Sequence, residues 1–287
     1  MSQLYAVLRD CLQAEEPVAL ATVIEVSSDL DGSTAHSETP RLGAKLLVRD
    51  GSDVLGSLGD ADLDRAVAND LRGALESGLP GERHYGWKGQ INGTSVSVFI
   101  EPFTPAPHMV IFGAVDFTRA LVRVANVLGF RVTVCDARPV FATRTRFPDA
   151  DEVVVDWPDR YLARAGAQLG PGDAVCVLTH DAKFDVPAIV GALATRVGYI
   201  GAMGSRRTKE DREGRLREAG VAEEDLPRIM APIGLDIGAR TPEQTAVAIC
   251  AEIVAVHSKS SVPSLRDGTG PIHRTPSRVT HPTQLGL

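Results

Sequence analysis

The amino-acid sequence predicts an α/β protein in which a helix-flanked, parallel sheet follows a smaller α+β unit. Strand and helix patterns alternate from residue 108 to residue 257, which is typical of right-handed crossovers and a parallel sheet. Residues 1–102 carry strand patterns that follow one another with only two helical stretches, which is typical of an α+β unit. Two prolines within residues 103–107 indicate a linker between the two parts.

The elements of the N-terminal unit are predicted from hydrophobic periodicity. Apolar residues recur at helical spacing in two stretches, and runs rich in β-branched residues predict strands. One pair of strands is expected to turn at Asp50-Gly51, a dipeptide typical of hairpins. In chain order the predictions are a helix at 2–15, a strand at 17–26, a hairpin at 43–58, a helix at 60–77, and strands at 82–87 and 94–102.

The C-terminal unit is predicted to span residues 108–257, where strand and helix patterns alternate. Strands are predicted at 108–112, 131–135, 152–155, 173–179 and 197–201, and helices at 117–128, 158–168, 184–196, 205–219 and 242–257. Because ligands of open parallel sheets bind outside the carboxyl ends of the strands, those ends are where we expect the site. Residues 258–287 are rich in Ser, Thr, Pro and Gly, and we expect an extended or disordered tail there.

Composition narrows the class of protein. A net charge of -7 and a pI of about 5.5 argue against a nucleic-acid partner. No stretch approaches the roughly 18 apolar residues of a membrane span, and the N-terminus lacks the apolar core of a signal peptide. The four cysteines form no C-x-x-C pair, so we predict neither a metal site nor a disulfide framework. We therefore expect a cytoplasmic protein without a membrane span.

The turn after the first strand of the parallel sheet has the layout of a dinucleotide-binding turn. Gly113 ends one apolar run, and Asp136 ends the next about 20 residues later, like an acid that holds a ribose. The stretch GAVDFT at 113–118 keeps only the first glycine of G-x-G-x-x-G, and both Val115 and Asp116 oppose a pyrophosphate. One interpretation is a nucleotide bound in an altered pose. The other is that Asp116 caps the helix and Asp136 is a solvated strand end.

A second group of polar residues follows the strand predicted at 173–179. His180 is placed to contact a ligand or transfer a proton, since its ordinary pKa lies near neutrality. The alternative is a simple turn in which Asp181 or Thr179 caps the next helix. Position along the chain does not separate these two interpretations.

The stretch "YIGAMGSRRT" predicts an anion site at the start of a helix. Gly201 and Gly204 precede Ser205, and Arg206 and Arg207 occupy the first helical turn. Positive side chains there oppose the helix dipole unless an anion is bound at that end. The alternative is that the arginines pair with nearby acids, for which the candidates are Glu210, Asp211, Glu213 and Asp236.

The last loop and helix of the C-terminal unit carry two further signals. Residues 232–238 contain Gly234, Asp236 and Gly238, and this loop either lies over a ligand or is a tightly packed crossing. Residues 241–244 read Thr-Pro-Glu-Gln, which predicts a helix start with a capping box.

These C-terminal stretches resemble a known family. "THD…FD", "YIGAMGSRRT" and "PIGLDIGARTPEQTAVAICAEIVA" are similar to the Rossmann-like C-terminal domain of the XdhC/CoxI family. "ATVIEVSS…PRLGAKLLV" is similar to the strand, S-S-x-P-R-x-G-A-K turn and strand of that family's N-terminal domain. The resemblance covers about residues 16–275 and is strongest over 176–257. It implies a Rossmann-like domain at 108–257 behind a smaller α+β domain at 1–102.

The resemblance implies a function in cofactor handling. Members of this family look like maturation factors for molybdenum hydroxylases such as xanthine dehydrogenase and carbon monoxide dehydrogenase. They are expected to bind the molybdenum cofactor, as molybdopterin or molybdopterin cytosine dinucleotide, to protect it during sulfuration, and to help insert it into the apo-enzyme. The expected partners are the hydroxylase apo-enzyme and, as further candidates, a cysteine desulfurase and a second copy of this chain. The alternative is an NAD(P)-dependent Rossmann oxidoreductase, which the broken glycine fingerprint disfavours.

Carried over to this chain, the resemblance identifies no catalytic residue and leaves open whether a reaction is catalysed. It implies a set of cofactor-binding residues: Gly113, Asp136, His180, Asp181, Gly201, Gly204, Ser205, Arg206, Gly234 and Asp236. The turn at 204–206 would hold a phosphate, Asp136 would contact a ribose, and His180 would lie at the mouth of the site. The chain departs from the family pattern twice. Residues 59–64 lack the cysteine of the G-G-C-x-E motif, and residues 113–116 replace G-A-G-H with GAVD.

Overall fold

The computed structural model describes residues 3–27, 39–49, 54–86, 89 and 95–267. These residues form two sheets, one of five strands and one of six, each flanked by helices. All pairings in the second sheet are parallel, so the predicted α/β class with a C-terminal parallel sheet is confirmed. None of the described helices is long and apolar enough to cross a membrane.

The first sheet is antiparallel and carries a helix on each face. Its strands are β1 (Val18–Val26), β2 (Lys45–Arg49), β3 (Val54–Ser57), β4 (Gly81–Tyr85) and β5 (Val96–Phe103), in the order β3-β2-β1-β5-β4. Helix α1 (Gln3–Gln13) packs through Leu4 and Cys11 on one face, and α2 (Ala61–Ser77) packs through Leu63, Val67 and Leu71 on the other. The turn predicted at Asp50-Gly51 lies outside the described residues.

Strand β5 continues through Phe103, which is the first residue of the predicted linker. Residues 104–107 therefore connect the first sheet to the second. Its strands are β6 (His108–Phe112), β7 (Arg131–Cys135), β8 (Glu152–Val154), β9 (Ala174–Val177), β10 (Tyr199–Ala202) and β11 (Ile229–Met230). Its helices are α3 (Asp116–Val127), α4 (Pro158–Ala165), α5 (Ala182–Leu193), α6 (Arg206–Glu218) and α7 (Pro242–His257). Of the predicted tail, residues 268–287 lie outside the described part of the chain.

The strand order of the parallel sheet fixes where a ligand site can form. The order is β11-β10-β9-β6-β7-β8, so the chain builds outward from β6 in one direction and then returns to build outward from β9 in the other. The switch point lies between β6 and β9, and ligands of open parallel sheets bind at the carboxyl ends of strands at such a point.

Helices cover both faces of this sheet because successive strand residues point to opposite sides. Met109 and Ile111 of β6 belong to the core shared with α3 and α7, whereas Val110 and Phe112 belong to the core shared with α4, α5 and α6. Strands buried on both faces are near-continuous apolar runs, as these are, and such strands are typical of doubly wound sheets.

Candidate functional site

Four turns of the C-terminal unit meet at one edge of the sheet. They follow β6, β7, β9 and β10, and parallel strands place all four of their carboxyl ends at the same edge. The turns after β6 and β9 touch, since a Cβ added at Gly113 would come within 2.8 Å of Thr179 Cγ2 and 3.1 Å of Thr179 N. Gly113 has φ +115, so both backbone conformation and close approach favour glycine here.

Asp136 is buried at this edge, and both of its carboxylate oxygens are hydrogen-bonded within the chain. The Ala114 backbone N–H donates to Oδ2 at 2.8 Å, and the Arg138 N–H donates to Oδ1 at 2.9 Å. The Arg138 guanidinium donates from Nε to Oδ1 at 2.9 Å and from Nη2 to Oδ2 at 2.7 Å. Burial raises the pKa of Asp136, but the hydrogen bonds from Arg138 and Ala114 and the Arg138 charge outweigh it, and the net pKa is lowered.

These contacts correct both interpretations of Asp136. The carboxylate is not a solvated strand end, because it is only 5% exposed. It is not free for a ribose either, since its oxygens already accept four hydrogen bonds. The Ala114 N–H, which in a dinucleotide-binding turn would face a phosphate, donates to Asp136 instead.

The start of α3 also differs from the sequence interpretation. The N-cap residue is Val115, which has no polar side chain, and Asp116 is the first helical residue with its side chain 95% exposed. Thr118 replaces the missing cap, because its hydroxyl donates to Gly113 O at 2.5 Å and accepts from Val115 N at 3.3 Å. The prediction that Asp116 caps this helix is therefore wrong. Its carboxylate pairs with Arg146 Nη2 at 3.8 Å and adds negative charge at a helix N-terminus, where a phosphate would otherwise bind.

At the end of β9, Asp181 caps α5 and His180 is exposed. The Asp181 carboxylate accepts a hydrogen bond from Lys183 N at 3.2 Å and pairs with Lys183 Nζ at 3.2 Å. Hydrogen bonds from the Lys183 backbone and side chain, together with its charge, lower the pKa of Asp181. The capping interpretation is thus confirmed for Asp181, while Thr179 is buried and donates its hydroxyl proton to Asp185.

A buried arginine, which sequence reasoning missed, lies beneath the turn after β10. Arg212 of α6 is 2% exposed, and its Nη2 donates to Met203 O at 2.6 Å and to Asp185 Oδ2 at 3.2 Å. In the described part of the chain its Nε and Nη1 are buried without a hydrogen-bond partner. Burial raises the pKa of Asp185, although the adjacent Arg212 opposes that shift.

A sequence signal for Arg212 did exist. Helix α6 contains one large apolar residue, Leu216, and Arg212 precedes it by four residues, on the same helical face. When a helix with a single large apolar residue packs on a sheet, it has to bury part of a charged side chain as well.

The predicted anion turn lies directly above this arginine. Gly204 has φ +151, and a Cβ there would come within 3.0 Å of Thr208 Cβ and 3.5 Å of Arg212 Nη2. Ser205 is the N-cap of α6 and accepts a hydrogen bond from Thr208 N at 3.1 Å. Arg206 is exposed, as is Arg207 beside it.

The alternative explanation of these two arginines is wrong for the described residues. Neither Arg206 nor Arg207 forms an ion pair there, and Glu213 pairs with Lys209 and Arg217, both at 3.6 Å. The N-terminus of α6 therefore carries two arginines that form no ion pair with the described residues, above a third, buried arginine that pairs with Asp185.

Two of the predicted site glycines make room for protein atoms. Gly201 lies inside β10, where a Cβ would come within 2.5 Å of Ile233 Cδ1. Gly234 has φ +95, donates its N–H to Glu252 Oε2 at 2.9 Å, and leaves no space for a Cβ beside Ile249 N at 3.2 Å. The loop at 232–238 is therefore a packed crossing at these positions, while Asp236 farther along is exposed.

Among the described residues no group of three or more His, Cys, Asp or Glu side chains is placed to hold a metal ion. All four cysteines of the chain are buried and free. Burial raises the thiol pKa of both Cys135 and Cys250 to about 12, and it also raises that of Cys176.

The fold and the edge together define a Rossmann protein whose usual phosphate-binding turn is occupied by an internal carboxylate and whose cationic helix start lies at β10. Two family models match the chain, one described as the XdhC Rossmann domain over residues 109–253 and one as the XdhC and CoxI family over residues 11–86. The chain belongs to the XdhC/CoxI family.

Three curated relatives are similar to this chain. The protein YqeB of Escherichia coli K12 is 28% identical over 252 residues, covering 85% of this chain and 44% of YqeB. A protein of Bacillus subtilis 168 named as a probable xanthine dehydrogenase subunit is 32% identical over 169 residues, covering 58% of this chain and 48% of that protein. The molybdenum cofactor insertion chaperone PaoD of Escherichia coli K12 is 28% identical over 178 residues, covering 62% of this chain and 46% of PaoD.

The chain spans about half the length of the curated relatives it matches. Among solved structures, a Bacillus halodurans protein described as a xanthine dehydrogenase is 22% identical with a TM-score of 0.47, covering 89% of this chain and 96% of that one.

Proposed function

We propose that this protein is a maturation factor that binds the molybdenum cofactor on behalf of a molybdenum hydroxylase. Membership of the XdhC/CoxI family supports the proposal. So do the names of two relatives, a molybdenum cofactor insertion chaperone and a probable xanthine dehydrogenase subunit. The cofactor supplies the molybdenum centre of the target enzyme, and the part of this chain is to hold it and keep it from solvent.

The observation that carries the proposal is the cationic start of α6. A helix N-terminus bears about half a positive charge, and here the chain enters it through Gly204, at φ +151, and the N-cap Ser205. Arg206 has no ion pair among the described residues, and beneath the turn the buried Arg212, which pairs with Asp185, keeps two donors without a partner in the described part of the chain. A phosphate of the pterin cofactor fits this chemistry, and we assign it to Gly204, Ser205 and Arg206.

The metal end of the cofactor has a weaker fit. No cysteine thiolate is accessible to contact the molybdenum in this structure, because every cysteine of the chain is buried. Where the family carries the G-G-C-x-E motif, this chain has Asp60, which caps α2 by accepting from Asp62 N at 2.9 Å and Leu63 N at 3.0 Å. We therefore propose binding through the phosphate and organic part of the cofactor, with exposed His180 at the mouth of the site.

We further propose the cellular setting of this function. The form of the cofactor is molybdopterin or its cytosine dinucleotide, and the partner is a hydroxylase apo-enzyme in the cytoplasm, with a cysteine desulfurase and a second copy of this chain as further candidates. The two units would be domains at 1–102 and 108–257, joined by 103–107.

A second candidate is an NAD(P)-dependent oxidoreductase, which the strand order favours. The order β11-β10-β9-β6-β7-β8 is the one that dinucleotide-binding Rossmann folds adopt. The occupied carboxylate of Asp136 and the charge of Asp116 at the start of α3 both oppose it.

The test is to purify the protein from a molybdate-replete host and to measure bound pterin, nucleotide and molybdenum. We expect pterin to co-purify, and we expect Arg206→Ala and Ser205→Ala to lower its retention about tenfold, the equivalent of one charge-assisted hydrogen bond. Arg217→Ala is the matched control, because Arg217 lies at the opposite end of the same helix and is 46% exposed. Retention that is unchanged by Arg206→Ala and Ser205→Ala would remove the phosphate assignment.

A further inference from the structure

A second cluster of side chains lies at the carboxyl edge of the parallel sheet and is separate from the phosphate site. Arg138 and Phe141 follow β7, Trp157 precedes α4, and Phe184 lies in the first turn of α5. We call Arg138, Phe141, Trp157 and Phe184 the ring patch. All four belong to segments that follow strands β7, β8 and β9, so they lie at the carboxyl edge of the sheet.

The ring patch is built from planar groups that lie against one another. The guanidinium carbon of Arg138 is 4.5 Å from the centre of the Phe141 ring and 5.8 Å from that of Phe184. The rings of Trp157 and Phe184 have centroids 4.9 Å apart at an interplanar angle of 37°. Phe184 is buried beneath its neighbours, whereas Phe141 is 40% and Trp157 38% exposed.

Asp136 fixes the orientation of the exposed guanidinium. Its two oxygens accept from Arg138 Nε and Nη2 at 2.9 and 2.7 Å, a paired geometry that holds the plane in place. The Arg138 side chain nevertheless remains 43% exposed. Its charge is neutralised by Asp136, so the exposed part of this side chain is a paired, oriented group beside two partly exposed aromatic rings.

We propose that the ring patch binds a planar nitrogen heterocycle, the pterin or cytosine ring of the ligand whose phosphate lies at Gly204–Arg206. The identity of that ring rests on the proposed function, but the stacking surface does not. Flat heterocycles stack on aromatic rings and on guanidinium planes with little dependence on ring identity. Asp136 is then a positioning residue for Arg138 and not a ribose contact.

The strand order places the ring patch and the phosphate turn at the same edge of the sheet. The ring patch is formed by residues that follow β7, β8 and β9, and the phosphate turn follows β10, the neighbour of β9. A ligand that fills both carries a ring as well as a phosphate, and a nucleoside or pterin alone occupies only the ring patch.

Trp157 makes the proposal testable by fluorescence. The chain has two tryptophans, so Trp87→Phe leaves Trp157 as the single tryptophan reporter. We expect cytidine or neopterin, two ring probes without phosphate, to quench this emission saturably after correction for absorption. We expect inorganic phosphate to leave it unchanged.

Variants separate stacking from charge. Arg138→Lys keeps the charge but loses the plane, and Phe141→Ala leaves the Asp136 contacts untouched. Each is expected to weaken binding of the ring probe about tenfold, in line with stacking on one aromatic group. Arg217→Ala is the control, since Arg217 is also paired through Nε and Nη2, with Glu223, and is 46% exposed.

The outcomes distinguish this proposal from the proposed function. Loss of probe binding in both variants, with Arg206→Ala unaffected, supports the ring patch even when no cofactor co-purifies. Unchanged probe affinity in both variants, or no quenching by either probe at millimolar concentration, overturns it even when purified protein carries pterin.

Discussion

At the scale of single residues, some charged side chains at the carboxyl edge form ion pairs, and others form none with the described residues. The Asp136 carboxylate accepts hydrogen bonds from Arg138 and from the Ala114 N–H, whereas Arg206 has no ion pair in the described chain. Arg212 lies between these cases, because one of its nitrogens contacts Asp185 and Met203 while the other two have no partner among the described residues. Each of these states gives a different response to substitution.

Asp185→Asn is expected to destabilise the fold strongly. It leaves the guanidinium of Arg212 buried without a counter-charge, and breaking a buried pair costs about 3–5 kcal/mol. Urea unfolding measures the loss. The double variant Asp185→Asn/Arg212→Met should recover much of it, because no charge then stays buried. A single variant within about 1 kcal/mol of wild type would show that the pair is not maintained in solution.

The hydrogen bonds of Asp136 predict how the free energy of unfolding depends on pH. Its pKa in the fold is lowered from the ordinary value, because its hydrogen bonds outweigh burial. Its contribution is therefore full above the unfolded value of about 4 and is lost as the pH falls through the lower folded pKa. Asp136→Asn should be less stable than wild type near pH 7 by roughly 2 kcal/mol and should lose less on acidification. Parallel stability profiles between neutral pH and pH 2 would contradict this.

At the scale of elements, local patterns predict most of the sheet. Strands β6 and β7 and helix α7 have the predicted bounds, because apolar runs or a Thr241 capping box define them within a few residues. Strand β11 is missed by the sequence, since its two residues, Ile229 and Met230, are too few to show a period. The sequence places the start of α5 two residues late, because Asp181 is the N-cap and the helix begins at Ala182.

Glycine roles inside elements also depend on contacts that the sequence does not show. The pattern around Gly201 indicates an opening for a ligand, but the side chain that fills the space is Ile233, more than 30 residues later. The partners Arg212 and Asp185 are similarly distant from each other in sequence. The turn at Gly204–Arg206 could be predicted because all of its signals are adjacent.

Two glycine substitutions in neighbouring elements should have opposite signs. Gly201→Ala forces a Cβ to within 2.5 Å of Ile233 Cδ1, and overpacking of this kind costs about 1–3 kcal/mol. Gly214→Ala adds a Cβ with nothing within 4 Å inside α6, and it should stabilise by about 0.5–1 kcal/mol. Thermal unfolding of both variants checks this. Equal effects would show that Ile233 does not pack against β10 in solution.

At the scale of the whole molecule, the strand order and the turns favour different ligands. The doubly wound order places its switch point between β6 and β9, where dinucleotides bind in Rossmann folds. The Ala114 N–H of the turn that would face a pyrophosphate there donates to Asp136, and the arginines that form no ion pair with the described residues lie instead at the start of α6. The anion contacts that we propose therefore lie toward β10 and away from β6.

NAD(H) is therefore expected to bind poorly, more weakly than about 1 mM, in calorimetry with the purified protein. A dinucleotide in the usual pose has to displace the Asp136 carboxylate from Ala114 N and to tolerate Asp116 at the start of α3. Val115 is a further obstacle, because its branched side chain lies where the backbone would approach the pyrophosphate.

The matched variant is Val115→Gly/Asp116→Asn, which removes the side chain and the charge but leaves Asp136 paired. It should improve NAD binding only slightly, since the carboxylate still occupies the phosphate position. Low-micromolar affinity in the wild type would instead show that Asp136 yields to a ligand, and the oxidoreductase interpretation would then replace the maturation factor.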